Sequence, residues 1–325
     1  MIWTSSYISS PSQSGFHIGP LFVHAYGLMY VLAVLAAIVI SRHRWRKEGG
    51  DPNLPQEIAV WAFPAGLIGG RIYFLITTPS EIPPHWWGPF AVWKGGLGIW
   101  GGVAGGALVG IWLARRRLGP VDARRFADAV APSLLVAQSI GRIGNYFNQE
   151  LFGKPTTLPW GLKIDPAHRP PGYGQYATFH PTFLYEIIWN LSLAAFLVWL
   201  GHHRRIRPPG LFALYVAGYS GFRMFEETLR IDYSNHVLGL RLNFFVALVL
   251  FLGALAAFVM IQRRPDPPEA PRKPAAPRTP ARRPPGKQRP RRPAGRWSAL
   301  WGLYPAELGR PPTRKTLART VRGLS

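Results

Sequence analysis

RLNFFVALVLFLGALAAFVMI, Arg241–Ile261, decides the fold. After its first arginine, twenty residues pass without a charge. A helix rises about 1.5 Å per residue, so about 20 apolar residues cross the hydrocarbon core of a bilayer. Working outward from this segment, approximately 241–262, six more follow the same pattern: 22–41, 56–77, 95–114, 126–146, 181–200 and 210–229. FVHAYGLMYVLAVLAAIVIS (22–41) and PTFLYEIIWNLSLAAFLVWL (181–200) are equally plain. The second and third are glycine-rich, with GLIGG at 66–70 and GGVAGGALVG at 101–110. Small residues of this kind let membrane helices approach backbone to backbone. The fourth and sixth carry charges. The pattern predicts an all-α integral membrane protein with seven transmembrane helices over residues 1–262, followed by a basic tail over 263–325.

Composition agrees. Only 16% of the 325 residues are charged and 13% are aromatic, against about a quarter charged in a soluble domain. The mean hydropathy of +0.04 is held down by the tail. Residues 263–325 carry seventeen Lys/Arg and three Asp/Glu, which is +14 of the total +23. The Pro/Arg/Ala-rich stretch 263–296 cannot bury enough surface to fold. We read it as a solvated cytoplasmic segment; attraction to anionic lipid is the functional alternative, and nucleic acid is not an expected partner. WSALWGLYPAEL, 297–308, is a candidate short interfacial helix. The absence of cysteine excludes disulfides, thiolate metal sites and an enzyme thiol nucleophile. The polar N-terminus has no basic stretch before its first apolar segment, so no cleaved signal peptide is expected.

Basic loops set the orientation. SRHRWRK (41–47), RRRLGPVDARR (115–125), HHRRIRP (202–208) and the tail fall on one side of the alternating helices. The opposite set is poor in Lys and Arg: residues 1–20, 78–94, 147–180 and 231–240. The N-terminus is therefore expected outside and the C-terminus in the cytoplasm. Tryptophans and tyrosines gather on the outer side, as they do at headgroup level.

Charges at bilayer depth are costly and mark functional sites by default. GRIGNYFNQE (141–150) places Arg142, Asn145 and Gln149 on one helical face, with Gly141 and Gly144 allowing close approach and Glu150 at the outer end. GYSGFRMFEETLRIDY (218–233) places Arg223, Glu227 and Arg230 on one face and Glu226 beside it. Glu227 can pair with either arginine, and two arginines around one carboxylate leave a positive site suited to an anion. His24 and Tyr26, Arg71, His180, Tyr185 and Glu186 add polar groups from other segments, with Glu186 read as an ion-pair partner for an arginine. A transporter of an anionic metabolite is the competing reading, but no convincing inverted repeat supports it.

These motifs resemble one family. GRIGNYFNQELFG closely matches the signature of the phosphatidylglycerol–prolipoprotein diacylglyceryl transferases at Gly141, Arg142, Gly144, Asn145, Asn148, Glu150 and Gly153, with Tyr146 in place of phenylalanine. HAYGLMY, GGRIYF, KGGLGIWGG, HPTFLYE and FRMFEETLR extend the resemblance in order over about residues 20–262. It implies a multi-pass protein of the bacterial plasma membrane that moves the diacylglyceryl group of phosphatidylglycerol onto the lipobox cysteine of a prolipoprotein signal peptide, without metal or cofactor. Arg142 and Arg223 would hold the phosphate, Asn145 would orient the headgroup, and Tyr26 would shape the site. Glu227 and Arg230 would hold Arg223, while Asn148, Gly153, Arg71, His24 and His180 would line the substrate site. Many members carry a histidine where this chain has Trp100. Tryptophan accepts no proton, so Glu150, His24 and His180 stand as candidate bases.

Overall fold

The computed structural model describes residues 7–91, 95–232 and 234–265. The Pro/Arg-rich stretch past Pro265 and the helix expected at 297–308 lie outside the described residues. Six helices form the body: α1 (Ala25–Lys47), α2 (Leu54–Thr77), α3 (Ile99–Asn148), α4 (Thr182–His203), α5 (Gly210–Leu229) and α6 (Leu242–Arg263). All the apolar segments fall on them, because the third and fourth are two arms of α3. Gly119 separates the arms with φ 75° and ψ 172°, a conformation that a Cβ disfavours. Pro120 follows; it can open a helix but cannot continue one. A straight helix of 50 residues would be about 75 Å long, far beyond a bilayer's thickness.

Among the described residues, four helices are long and apolar enough to cross a membrane: α1, α2, α4 and α6. The others carry more charge; α5 alone holds Arg223, Glu226 and Glu227. Neighbouring segments run antiparallel. The glycine motifs join α2 to the first arm of α3: a Cβ on Gly69 would lie 2.3 Å from the Gly101 carbonyl oxygen, and one on Gly105 would lie 2.4 Å from that of Ala65. Only glycine permits this contact. The Gly98 amide also donates to the Gly70 carbonyl at 2.8 Å.

At one end of the bundle, Trp45, Leu54, Ile58, Leu113 and Phe126 form a buried cluster. The basic loops meet there. Arg44 Nε donates to the Ala129 carbonyl at 2.9 Å, Arg125 lies 3.3 Å from Glu48, and Arg117 pairs with Glu57. The clusters 41–47 and 115–125 thus share a face, as the alternation of basic loops requires. Asp128 Oδ1 accepts the Phe212 amide at 2.8 Å and so caps α5 from a different helix. A second apolar cluster, of Leu135, Ala194, Leu197 and Leu211, joins α3, α4 and α5.

The expectation of an all-α chain needs correction at the opposite end. There β1 (Ile8–Ser9), β4 (Leu162–Lys163) and β5 (Thr178–Phe179) form a small sheet in the order β1-β4-β5. Two hairpins join it: β2 (Gly15–Ile18) with β3 (Leu21–His24), and β6 (His236–Val237) with β7 (Leu240–Arg241). Strands of two residues show no alternation in the sequence. The sheet nonetheless packs a core of Phe152, Leu162, Ile164 and Phe179, which fixes the loop leaving α3 over the end of the bundle.

Candidate active site

Glu186 is the hub of the site. It lies one turn into α4 and has no exposed surface. Its Oε2 is 2.6 Å from Arg142 Nη2 on α3 and 3.5 Å from Arg223 Nη1 on α5. Its Oε1 accepts the Tyr219 hydroxyl at 3.2 Å. Three helices therefore meet on one carboxylate. Arg223 also pairs with Glu226 and Glu227, one turn further along its own helix.

From Arg142 the network runs outward. Its Nη1 donates to Asn145 Oδ1 at 3.2 Å, and Asn145 Nδ2 donates to Glu150 Oε1 at 2.7 Å. Asn148 Nδ2 reaches the same oxygen at 3.4 Å. The GRIGNYFNQE motif thus forms a chain of hydrogen bonds from the buried hub to an exposed carboxylate. The Tyr26 ring packs over Gly144, where a Cβ would be 2.4 Å from Cδ2. Its hydroxyl lies 3.2 Å from that of Tyr30.

From Arg223 the network runs into the loop after α5. Glu227 Oε2 accepts Arg241 Nε at 2.7 Å, while Arg230 lies 3.7 Å from the other oxygen. Arg230 forks onto Asp232 with two contacts of 2.7 Å, and Arg241 Nη2 meets Asp232 Oδ2 at 2.9 Å. Burial alone would raise the Asp232 carboxyl's pKa, but Arg230 and Arg241 outweigh it and hold it below the usual carboxylate range.

The site is not the net positive patch expected from two arginines around one carboxylate. Arg142, Arg223, Arg230 and Arg241 face Glu186, Glu226, Glu227 and Asp232, so their formal charges cancel. What remains is a gradient of exposure. The Arg142 and Arg223 side chains keep 16% and 15% of their surface exposed, whereas Glu186 has none. The guanidinium nitrogens are themselves taken up: Arg142 Nη1 and Nη2 by Asn145 and Glu186, and Arg223 Nη1 and Nη2 by Glu226 and Glu227.

Other predicted residues sit elsewhere in the fold. Arg71 is buried, and it donates to the main-chain carbonyls of Gly88, Pro89, Gly95 and Gly96 at 2.7–2.9 Å. It organises the loop between α2 and α3. Gly153 gives the chain room: a Cβ there would be 2.9 Å from His180 Cβ, and its amide donates to the His180 carbonyl at 2.9 Å. His180 Nδ1 meets the Tyr185 hydroxyl at 3.0 Å. Burial and the nearby Lys154 charge hold the imidazole below its ordinary pKa. His24 is exposed and packs edge-on against Phe22. Gln149 does not share the helical face of Arg142: α3 ends at Asn148, Gln149 turns away with φ 50°, and its Nε2 donates to Asp165 at 2.6 Å and secures the outer loop. Three members of the network were not singled out from the sequence: Tyr219, Asp232 and Arg241. Tyr219 is visible in hindsight, one turn before Arg223 on the same face. Arg241 and Asp232 look like ordinary loop charges until the fold brings them together.

A cavity of about 320 Å³ opens beside this end of the network, lined in part by Asn148, Glu150, His168 and Asp232. Among the described residues, no cluster of His, Asp and Glu is arranged to hold a metal ion.

Apolar helices enclosing a buried network of paired arginines and carboxylates define a mostly helical membrane protein. The chain matches the family model described as prolipoprotein diacylglyceryl transferase over residues 13–260, and it belongs to that family. It is 48% identical over 268 residues to the phosphatidylglycerol–prolipoprotein diacylglyceryl transferase of Frankia alni, covering 81% of this chain and 70% of the relative. Identity to the enzyme of the same name from Cutibacterium acnes is 47% over 263 residues, 79% and 87% of the two chains. Identity to the second such enzyme of Streptomyces coelicolor is 47% over 269 residues, 80% and 82% of the two chains.

Proposed function

We propose that this protein transfers the diacylglyceryl group of phosphatidylglycerol to the lipobox cysteine of prolipoprotein signal peptides at the outer face of the bacterial plasma membrane. In this reading the seven apolar segments are seven spans, with the N-terminus outside and the C-terminus in the cytoplasm. The convergence of Arg142 and Arg223 on the buried Glu186 carries the assignment. A planar fork suits two phosphate oxygens, and the buried carboxylate fixes where both forks stand.

The reaction is a substitution at carbon. The cysteine sulfur forms a bond to the glycerol carbon that carries the phosphate. The carbon–oxygen bond breaks, its electron pair stays on the phosphate oxygen, and glycerol phosphate leaves. Negative charge grows on that phosphate, where Arg142 and Arg223 stabilise it. Asn145 orients the headgroup, and Tyr26, packed on Gly144, shapes the approach. The thiol proton must leave because the thiolate is the effective nucleophile. We assign it to Glu150, which is exposed and linked through Asn145 to Arg142. The cavity beside Glu150 provides room for the acceptor chain. A transporter reading has less support, because Leu135 and Leu197, both with no exposed surface, close the bundle below the hub.

Lysine at position 142 keeps the charge and loses the fork. Arg142→Lys should lower kcat by about 10²–10³-fold with the fold intact, measured as lipid transfer to a lipobox peptide. Wild-type turnover in that variant would remove the phosphate-clamp role.

A further inference from the structure

The geometry points to an internal water-binding site one helical turn below the arginine pair, held by Asn190 of α4 and Gln138 of α3. Asn190 has no exposed surface, and neither its Oδ1 nor its Nδ2 has a hydrogen-bond partner. Gln138 Oε1 is likewise buried without a partner, although its Nε2 donates to the Tyr215 hydroxyl at 3.1 Å.

Helix register brings these groups together. Arg142 and Glu186 pair across two antiparallel helices. Four residues deeper on α3 stands Gln138, and four residues deeper on α4 stands Asn190. The next layer on both helices is Leu135 with Ala194 and Leu197. On α5 the same descent passes from Arg223 to Tyr219 and then Tyr215. Three helices thus each supply a polar side chain to one layer. It is closed below by the apolar cluster and above by Glu186 and Tyr219.

Asn190 lies about 12 Å from the start of α4 at 1.5 Å per residue, within hydrocarbon depth. An amide there has no solvent to bond, and leaving it unpaired is costly. Two amide oxygens with no carboxylate in the layer are too few to replace a cation's hydration shell, and the closed ends admit no headgroup. A water molecule fits the chemistry: it can accept from Asn190 Nδ2 and donate to the two unpaired amide oxygens, within the two to four bonds usual for buried water.

The direct test is a crystal or cryo-EM map of the full wild-type chain, at a resolution that shows ordered solvent. The expected result is a solvent peak about 2.7–3.2 Å from Asn190 and from Gln138 Oε1. A well-resolved layer without that peak, or filled by a lipid atom, would overturn the proposal. Asn190→Leu supplies a second measurement. A water site loses partners on this change, so Tm should fall by several degrees. An unchanged or higher Tm would mean a dry layer, from which removing an unpaired amide costs nothing. The wild-type map decides the matter even if the variant does not accumulate.

Discussion

Glu186 carries no exposed surface, yet two arginines from other helices rest on it. Removing one member of a buried ion group leaves uncompensated charge and costs about 3–5 kcal/mol. Glu186→Gln should therefore lower Tm sharply and abolish transfer, read by thermal unfolding and turnover on the same preparation; a stable, active variant would remove Glu186 as the hub. His180 gives a pH test. Its folded pKa is held down by burial and by Lys154, so the unfolded chain binds a proton that the folded chain resists. Its contribution is intact above the ordinary histidine value of about 6.5 and falls away below it. Replacing His180 with glutamine should flatten Tm against pH below about 6.5; the same slope in the variant would place the titrating group elsewhere. At this scale the arginines were readable because charge inside an apolar run is rare, and Glu186 was readable as a partner. Arg241 and Asp232 were not, because their meaning depends on which loop folds back on which helix.

Two devices hold the elements in place, and both are testable. A Cβ on Gly101 would lie 2.1 Å from the Gly69 carbonyl oxygen. Gly101→Val should therefore separate α2 from α3, at a cost of at least about 1–3 kcal/mol. Gly253→Ala, with nothing within 4 Å of the added carbon, should be neutral or slightly stabilising. Comparable Tm values for the two variants would contradict the packing described. Asp128→Ala uncaps α5 and should cost about 1–2 kcal/mol, measured by denaturant or thermal unfolding. The apolar segments and the glycine contact were legible from residue spacing alone. The merging of two segments into α3 was not, because a Gly-Pro pair reads equally as a loop or a sharp break. The two-residue strands were also hidden: they form only because the loop closes over Phe152 and Phe179.

For the whole molecule, the basic loops predict an orientation, and the structure gathers two of those clusters at one end and the arginine network at the other. The chain has no cysteine, so single cysteines report topology cleanly. Gly174→Cys should react with a membrane-impermeant maleimide in intact cells, and Arg205→Cys only after lysis; the reverse pattern would invert the protein. The most direct measurement of the central claim uses the full chain in phosphatidylglycerol-containing nanodiscs with a lipobox peptide. Intact-mass analysis should show one diacylglyceryl group on the peptide cysteine, held by a thioether that survives hydroxylamine, with equimolar glycerol phosphate released. An unmodified peptide from folded protein, or a hydroxylamine-labile adduct, would contradict the account.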